Sequence, residues 1–373
     1  MPIRRFDAAR PRLLLLTDLP AGAAESAVDG VFRQHLRSRF DVDVVFHDRD
    51  VREVRRVGDT VVVPKRALRG GILEALGAVA DPAGYDFLVV RNKYYLLRQC
   101  LRGPRRGRLG FWETFPHSYR RVADAEQEGR ARLRKRLEYA WRQWSEDRLL
   151  RRVDFFLPIT ARHALEFHPD VAVPVSPLPM GIDEDLFIPA TRRGGSGPLR
   201  FVYTGTVDRL RCVDILNAVF HEAPGEFRLD YYTFRDNPTV DALRAVNNPL
   251  IRVLPALPRP ALLEVLRSAD IGLGYVPPVR TFIGSSPTKT LEYAALGLTV
   301  MANPLPDYED WLDPTAAVFT AFEPAAIRSG LDLILATSRD VLAARGAAAA
   351  RCVREKRTYR ILAERLAGFL LTL

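Results

Sequence analysis

Residues 285–303, SSPTKTLEYAALGLTVMAN, decide how this chain is read. Ser285 and Ser286 are N-cap candidates, and Pro287 suits a first helical turn. Leu291, Ala294 and Ala295 are spaced to face a core. Gly297 stands where a helix end wants a residue at positive φ. LTVMA then has the look of a short strand buried on both faces of a parallel sheet. Lys289 and Glu292, three apart, share one helix face near its N-terminus. That end carries unbonded N–H groups and partial positive charge, which suits an anion. A cation for phosphate beside a carboxylate for sugar hydroxyls points to a nucleotide-sugar site.

Outward from this segment, the chain alternates strand-like and helix-like stretches. RLLLLTD (12–18), DVDVVFHD (41–48), YDFLVVR (85–91) and DFFLPIT (154–160) are expected strands. Residues 26–40, 70–80 and 161–167 are expected helices, and 122–150 one long helix. On that helix Leu133, Leu137, Ala140, Trp141 and Trp144 form one stripe. The Pro-, Gly- and Ser-rich stretch 171–198 breaks the pattern, reading as a last short strand and a linker. A second alternation follows: strands 199–206, 227–234, 251–256 and 270–276, with helices 213–220, 240–247 and 260–268 between them. Residues 325–337 and 339–371 close the chain as helices. The expected fold is α/β, two Rossmann-like halves, with a ligand cleft between them.

Composition limits the function classes. The 373 residues make two domains the natural prior, and 47% hydrophobic content is ordinary for a globular protein. No apolar run approaches the roughly 18–20 residues that span a bilayer. Four leucines followed by Asp18 are too short for a signal-peptide core, so Arg12–Thr17 is taken as the first strand. Cys100, Cys212 and Cys352 have no metal spacing, and a reducing cytoplasm is the expected compartment. The net charge of +10 is concentrated: residues 91–152 hold 18 Lys/Arg against 7 Asp/Glu, a net of +11. Such a cluster is either a solvated helix surface in an Arg-rich chain or a surface suited to an anionic membrane or an anionic ligand. Nucleic acid is disfavoured, because no nucleic-acid module is recognisable.

Three blocks resemble the retaining, GT-B-fold glycosyltransferases of the family four (group 1) type. PLPMGIDEDLFIP (177–189) is like the family's Asn-Gly-Val-Asp and Phe-x-Pro linker. LRFVYTGTVDRLRCVDILNAV (199–219) is like the opening of its C-terminal domain. LRSADIGLGYVPP (266–278) with SSPTKTLEYAALGLTV (285–300) is the third. The resemblance covers the C-terminal half well and the N-terminal half in layout only. It implies residues 1–180 as an acceptor-side domain, 181–198 as linker and 199–352 as the nucleotide-sugar domain. Residues 353–373 would be a helix packing back on the first domain.

On the donor side, Gly205 ends a strand where backbone approaches a ligand. Arg211 falls where the family places a diphosphate-binding Lys, and Arg209 stands in for a family Arg replaced by Thr206. Lys289, one of only five lysines among 55 basic residues, is assigned to the diphosphate. The resemblance puts backbone N–H groups of Thr288 and Lys289 on the phosphates and Glu292 on both ribose hydroxyls. Leu254, at the start of the 254–257 ledge, would stack on the base. The first family glutamate falls on Gly284 and is absent. On the acceptor side, Glu113 and His117 of GFWETFPHSYRR (110–121) are candidate sugar contacts, with Phe115 at the family's His position. Gly22 marks a loop that would approach phosphate and acceptor. His35, His47, His163, His168 and His221 show no ligand spacing.

The expected reaction moves a sugar from a nucleoside diphosphate, UDP or GDP, to an acceptor hydroxyl, with retention by resemblance. Lys289, Arg211 and the helix N-terminus would hold the charge that grows on the leaving diphosphate. No metal is required by that scheme, and no Asp-x-Asp motif is evident. The acceptor would be a carbohydrate or lipid-linked, in bacterial surface polysaccharide or glycolipid assembly. The protein would be cytoplasmic, on the inner face of the membrane if peripheral. Rival readings are a non-catalytic GT-B homologue, a nucleotide-sugar epimerase, and a basic nucleic-acid- or membrane-binding protein.

Overall fold

The computed structural model describes residues 10–77, 79–127, 133–187, 197–246 and 248–373. They form two compact units. One comprises Met1–Asp183, Gly284–Ser286 and Tyr359–Leu373, the other Glu184–Ile283 and Pro287–Thr358.

The first unit is built on a seven-stranded sheet in the order β3-β4-β2-β1-β5-β6-β7. Its strands are β1 (Arg12–Pro20), β2 (Asp41–Asp48), β3 (Arg55–Val57), β4 (Thr60–Pro64), β5 (Phe87–Arg91), β6 (Arg108–Glu113) and β7 (Phe155–Pro158). All pairings are parallel except the short β3–β4 hairpin. Leaving out β3, the strands run 3-2-1-4-5-6 in chain order, the doubly wound order. The leucines of β1 are buried on both faces, which is why RLLLL is a continuous apolar run. Helices α1 (Ile72–Gly77), α2 (Tyr94–Arg102), α3 (His117–Gln127), α4 (Leu133–Leu150) and α5 (Ala161–Phe167) connect the strands.

The second unit repeats that order without the extra hairpin. Its sheet, β10-β9-β8-β11-β12-β13, is parallel throughout. The strands are β8 (Leu199–Thr204), β9 (Phe227–Thr233), β10 (Ile251–Pro255), β11 (Ile271–Leu273), β12 (Thr299–Ala302) and β13 (Ala317–Phe319). The helices are α6 (Val213–His221), α7 (Pro238–Ala245), α8 (Arg259–Ser268), α9 (Arg280–Ile283), α10 (Thr288–Ala295), α11 (Pro306–Glu309), α12 (Pro324–Leu335) and α13 (Arg339–Lys356). The chain ends in α14 (Tyr359–Thr372), whose Leu362, Leu366 and Leu370 join the core of the first unit beside Phe32 and Phe40. Among the described residues no helix is long and apolar enough to cross a membrane.

Several expectations change. The single helix over 122–150 becomes α3 and α4, with residues 128–132 outside the described residues. Its apolar stripe faces outward: Leu133, Leu137, Trp141 and Trp144 are 73%, 61%, 64% and 54% exposed. The strand expected within 171–198 is reduced to an isolated bridge between Phe156 and Val175, and residues 188–196 of the expected 181–198 linker lie outside the described residues. The closing helix breaks between α13 and α14 at Arg357, whose buried guanidinium is tied to Asp307 at 2.8 Å. The opening segment keeps its helix and its buried strand β12, and Gly297 has φ +74°. Its cap differs: Pro287 takes the N-cap position, and no side chain caps α10. The Ser286 hydroxyl instead accepts from the Met180 N–H at 3.1 Å.

Candidate functional site

The candidate site of the second unit lies past the C-terminal ends of β8 and β11, the adjacent strands where the chain order reverses. Open parallel sheets bind ligands at that crossover. Gly205 follows β8 with φ +129°, a conformation side chains disfavour. Its turn is fixed from two directions. The Gly205 N–H donates to the Tyr232 carbonyl at 3.0 Å, and the Thr204 N–H donates to the hydroxyl of Tyr293 on α10 at 2.8 Å. The end of β8 and helix α10 are thereby locked together.

Lys289, in the first turn of α10, is the centre of the arrangement. Its Nζ donates to the Tyr275 carbonyl at 2.9 Å and lies 4.0 Å from the centroid of the Tyr203 ring. No carboxylate pairs with it among the described residues. Burial pulls its ammonium down to about 7, and the nearby Arg211 charge pushes the same way. The Tyr203 face and the Tyr275 carbonyl favour the charged form, and the residue keeps partial solvent contact.

Arg211 is held by Asp208, whose Oδ2 it meets at 2.5 Å, and its guanidinium sits 5.4 Å from the Phe282 ring centroid. Asp208 also accepts from the Arg211 N–H, closing a tight turn. Arg209, in that turn, points into solvent. Thr288 opens α10 half-buried, at the uncapped end. Glu292 is buried, and its Oε1 accepts from Arg259 Nη1 at 2.7 Å. Arg259 was missed from the sequence; it opens α8, and nothing in its local pattern distinguishes it. Leu254 is half-buried near the end of edge strand β10, opposite Tyr232. Lys289, Arg211 and the α10 N-terminus are thus donors with one carboxylate, Asp208, among them: a place for a polyanion.

The acceptor-side candidates belong to the first unit and do not form one group. Gly22 sits in an exposed turn after β1, at φ +81°. His117 is exposed at the start of α3, its ring edge-on to Phe115. Glu113, expected to contact sugar, is 4% exposed and saturated within the fold. Its Oε1 accepts from the Tyr94 hydroxyl at 3.0 Å, and Oε2 lies 3.0 Å from His163 Nε2 and 2.7 Å from His168 Nε2. His168 Nδ1 lies 2.6 Å from Asp147. Burial alone would raise the Glu113 carboxyl, but His168 and His163 hold it well below the usual range. Burial alone would lower His168, but Glu113 and Asp147 raise it to about 9. The pair is ionised, with both ring nitrogens of His168 donating.

Sequence spacing concealed this cluster, because His163 and His168 reach Glu113 across some 50 residues of chain. Its three ligand atoms lie within 4.8 Å of one another and could hold a metal ion. In this structure they contact one another directly, at 2.7 and 3.0 Å.

The same region accounts for Gly284. A Cβ there would lie 2.7 Å from His163 Cα and 2.8 Å from His163 N, while its carbonyl accepts from the Thr160 hydroxyl at 2.8 Å. The family glutamate has no room at this position.

No family model and no curated protein matches this chain. Solved structures match over nearly its whole length. Sucrose-phosphate synthase from Thermosynechococcus elongatus aligns with TM-score 0.74 at 14% identity, covering 97% of this chain and 99% of its own. An α,α-trehalose-phosphate synthase (UDP-forming) from Burkholderia xenovorans, in complex with glucose-6-phosphate, aligns with TM-score 0.67 at 12% identity over 96% and 100%. The E. coli trehalose-6-phosphate structure bound with UDP-2-fluoro glucose gives 0.65 at 14% over 97% and 99%. At these identities the likeness is one of fold: this chain has the GT-B fold of two Rossmann-like domains, as its sequence blocks led us to expect.

Proposed function

We propose that this chain is a glycosyltransferase that moves a sugar from a nucleoside diphosphate to an acceptor hydroxyl with retention. The observation that carries this reading is the buried Lys289 ammonium. It has no carboxylate partner among the described residues, feels the Arg211 charge, and opens an uncapped helix. Two cations that repel one another in a half-buried site, only one of them paired with a carboxylate, are a standing cost until an anion enters. A diphosphate supplies that anion, and its charge grows as the glycosidic bond breaks, so the same donors stabilise the transition state more than the ground state. Glu292, fixed by Arg259, presents its carboxylate to ribose hydroxyls, and the Leu254 ledge lies under the base.

The solved structures of like fold support the donor class, since one holds UDP-2-fluoro glucose and another is a UDP-forming synthase. The acceptor is a carbohydrate hydroxyl, borne by a sugar phosphate or by a lipid-linked saccharide of surface polysaccharide or glycolipid assembly.

The test is a thermal-shift panel of UDP, GDP and ADP on wild type and Lys289→Ala, followed by turnover of the matching sugar nucleotides. One nucleoside diphosphate should raise the midpoint of wild type by several degrees and leave Lys289→Ala unmoved. Nucleotide release should then depend on an added sugar acceptor. An equal response of both proteins, or no response to any diphosphate, overturns the assignment.

A further inference from the structure

Helix α4 is amphipathic in the opposite sense to a surface helix. At about 100° per residue, Leu133, Leu137, Trp141 and Trp144 fall within one narrow stripe, and all four are more than half exposed. The face turned to the protein is polar. Glu146 accepts from the Ser118 hydroxyl at 2.5 Å, Gln143 donates to the Phe167 carbonyl, and Asp147 holds His168 at 2.6 Å. Only at its C-terminal end does apolar packing take over, through buried Leu149 and Leu150. Half-buried hydrogen bonds and an ion pair therefore anchor the helix with two tryptophans and two leucines facing out.

Charge narrows what covers that stripe. Between Leu133 and Arg152 there are seven Arg/Lys and three Asp/Glu. Two of those acids, Glu146 and Asp147, are turned inward, and Glu138 is spent on Arg142 at 2.9 Å. Arg134, Lys135, Arg136, Arg148, Arg151 and Arg152 are exposed along the helix and just past its end. Arg148 lies 4.7 Å from the Trp144 ring centroid, joining the cationic and aromatic surfaces. Leucine and tryptophan on one side with a dense Arg/Lys fringe is the pattern of a helix lying in the headgroup region of an anionic bilayer. We propose that α4 docks this chain on an anionic membrane surface, its Trp141–Trp144 side entering the acyl boundary and its arginines meeting lipid phosphates. The proposal rests on α4 alone and is independent of the sugar-transfer reading.

The chain carries its own reporters. Of its four tryptophans, Trp112 and Trp311 are fully buried, so a change in emission on docking comes from Trp141 and Trp144. Full-length protein is mixed with phosphatidylcholine vesicles, with and without about a third phosphatidylglycerol, at low salt and at about 0.5 M salt, where screening is nearly complete. Vesicle sedimentation and quenching by brominated lipid are read together. Anionic vesicles at low salt should blue-shift the emission and quench it. Neutral vesicles or high salt should weaken partitioning by roughly tenfold or more. Leu133→Glu/Leu137→Glu, at exposed positions that keep both reporters, should lose roughly 100-fold. An unshifted emission on anionic vesicles at low salt overturns the proposal, as does equal partitioning of wild type and the double variant. So does a stable dimer that the double variant dissociates while vesicles fail to bind, which would assign the stripe to a second copy of the chain.

Discussion

Replacing Lys289 by methionine separates what the lysine costs the empty protein from what it contributes to a bound anion. The ammonium of an unfolded lysine titrates at 10.5, and burial brings Lys289 to about 7. Between those values the unfolded chain binds a proton that the folded chain lacks, so stability must rise with pH. At about 1.36 kcal/mol per unit, this one group gains wild type about 3 kcal/mol between pH 6.5 and 9.5 at full burial. The partial solvent contact of the residue brings the expectation to about 1.5–3 kcal/mol. Methionine has no such term, so the wild-type-minus-variant stability difference should climb by that amount across the same range. Taking the difference removes every other titrating group. Lost bonding to the Tyr275 carbonyl enters as a constant of about 1–2 kcal/mol. Because the chain has two units, the comparison is made on the transition that moves with ligand, by thermal or urea midpoint at pH 6.5, 8 and 9.5. A pH-independent difference, or one that falls as pH rises, refutes the placement of a depressed lysine at this site.

Three further outcomes follow from the same geometry. Diphosphate binding to wild type at pH 8 should take up close to one proton, about 0.9 for a group that starts near 7; calorimetry in buffers of different ionisation enthalpy should find this uptake missing in Lys289→Met. His168→Asn leaves Glu113 and Asp147 buried without their shared cation and should cost about 3–5 kcal/mol, read as a loss of thermal midpoint, with diphosphate affinity kept when measured below that midpoint. Gly284→Ala drives a Cβ to 2.7 Å from the His163 backbone and should destabilise by about 1–3 kcal/mol. Gly284→Glu should therefore lower the midpoint further and restore no activity.

Most of the second unit was legible in its sequence because its signals are local. The run of β12, the positive-φ glycine after α10 and the strand–helix spacing are each set by neighbours within a few residues. The site's character was less legible. Residue type placed Lys289 at a helix start, but its depressed affinity for protons comes from burial and from the Arg211 charge, which only the tertiary fold brings to it. Glu113 was a candidate sugar contact through its place in the 110–121 segment, yet residues 50 and 55 positions away close over it. The stripe on α4 shows another limit. Periodicity reports that residues share a face, and cannot say whether that face is covered. Here the polar face found partners first, through Asp147, Gln143 and Glu146.

The three unusual groupings differ in whether their cost is met inside the chain, and that difference decides what each can mean. Glu113 and His168 bury charge, the most expensive thing a fold can do, but they meet each other at 2.7 Å, with Asp147 2.6 Å from the other side of His168 and His163 3.0 Å from Glu113. Such a cluster holds α4 and α5 to β6. Lys289 has no opposite partner among the described residues, so the cost of its charged form is offset when something anionic arrives from solution. Among the described residues no element covers the exposed apolar stripe of α4, the same imbalance in hydrophobic form. Ligand and surface are inferred at the two places where the chain leaves a cost standing. The inference fails at either place if removing the group stabilises the free protein and leaves every binding property unchanged.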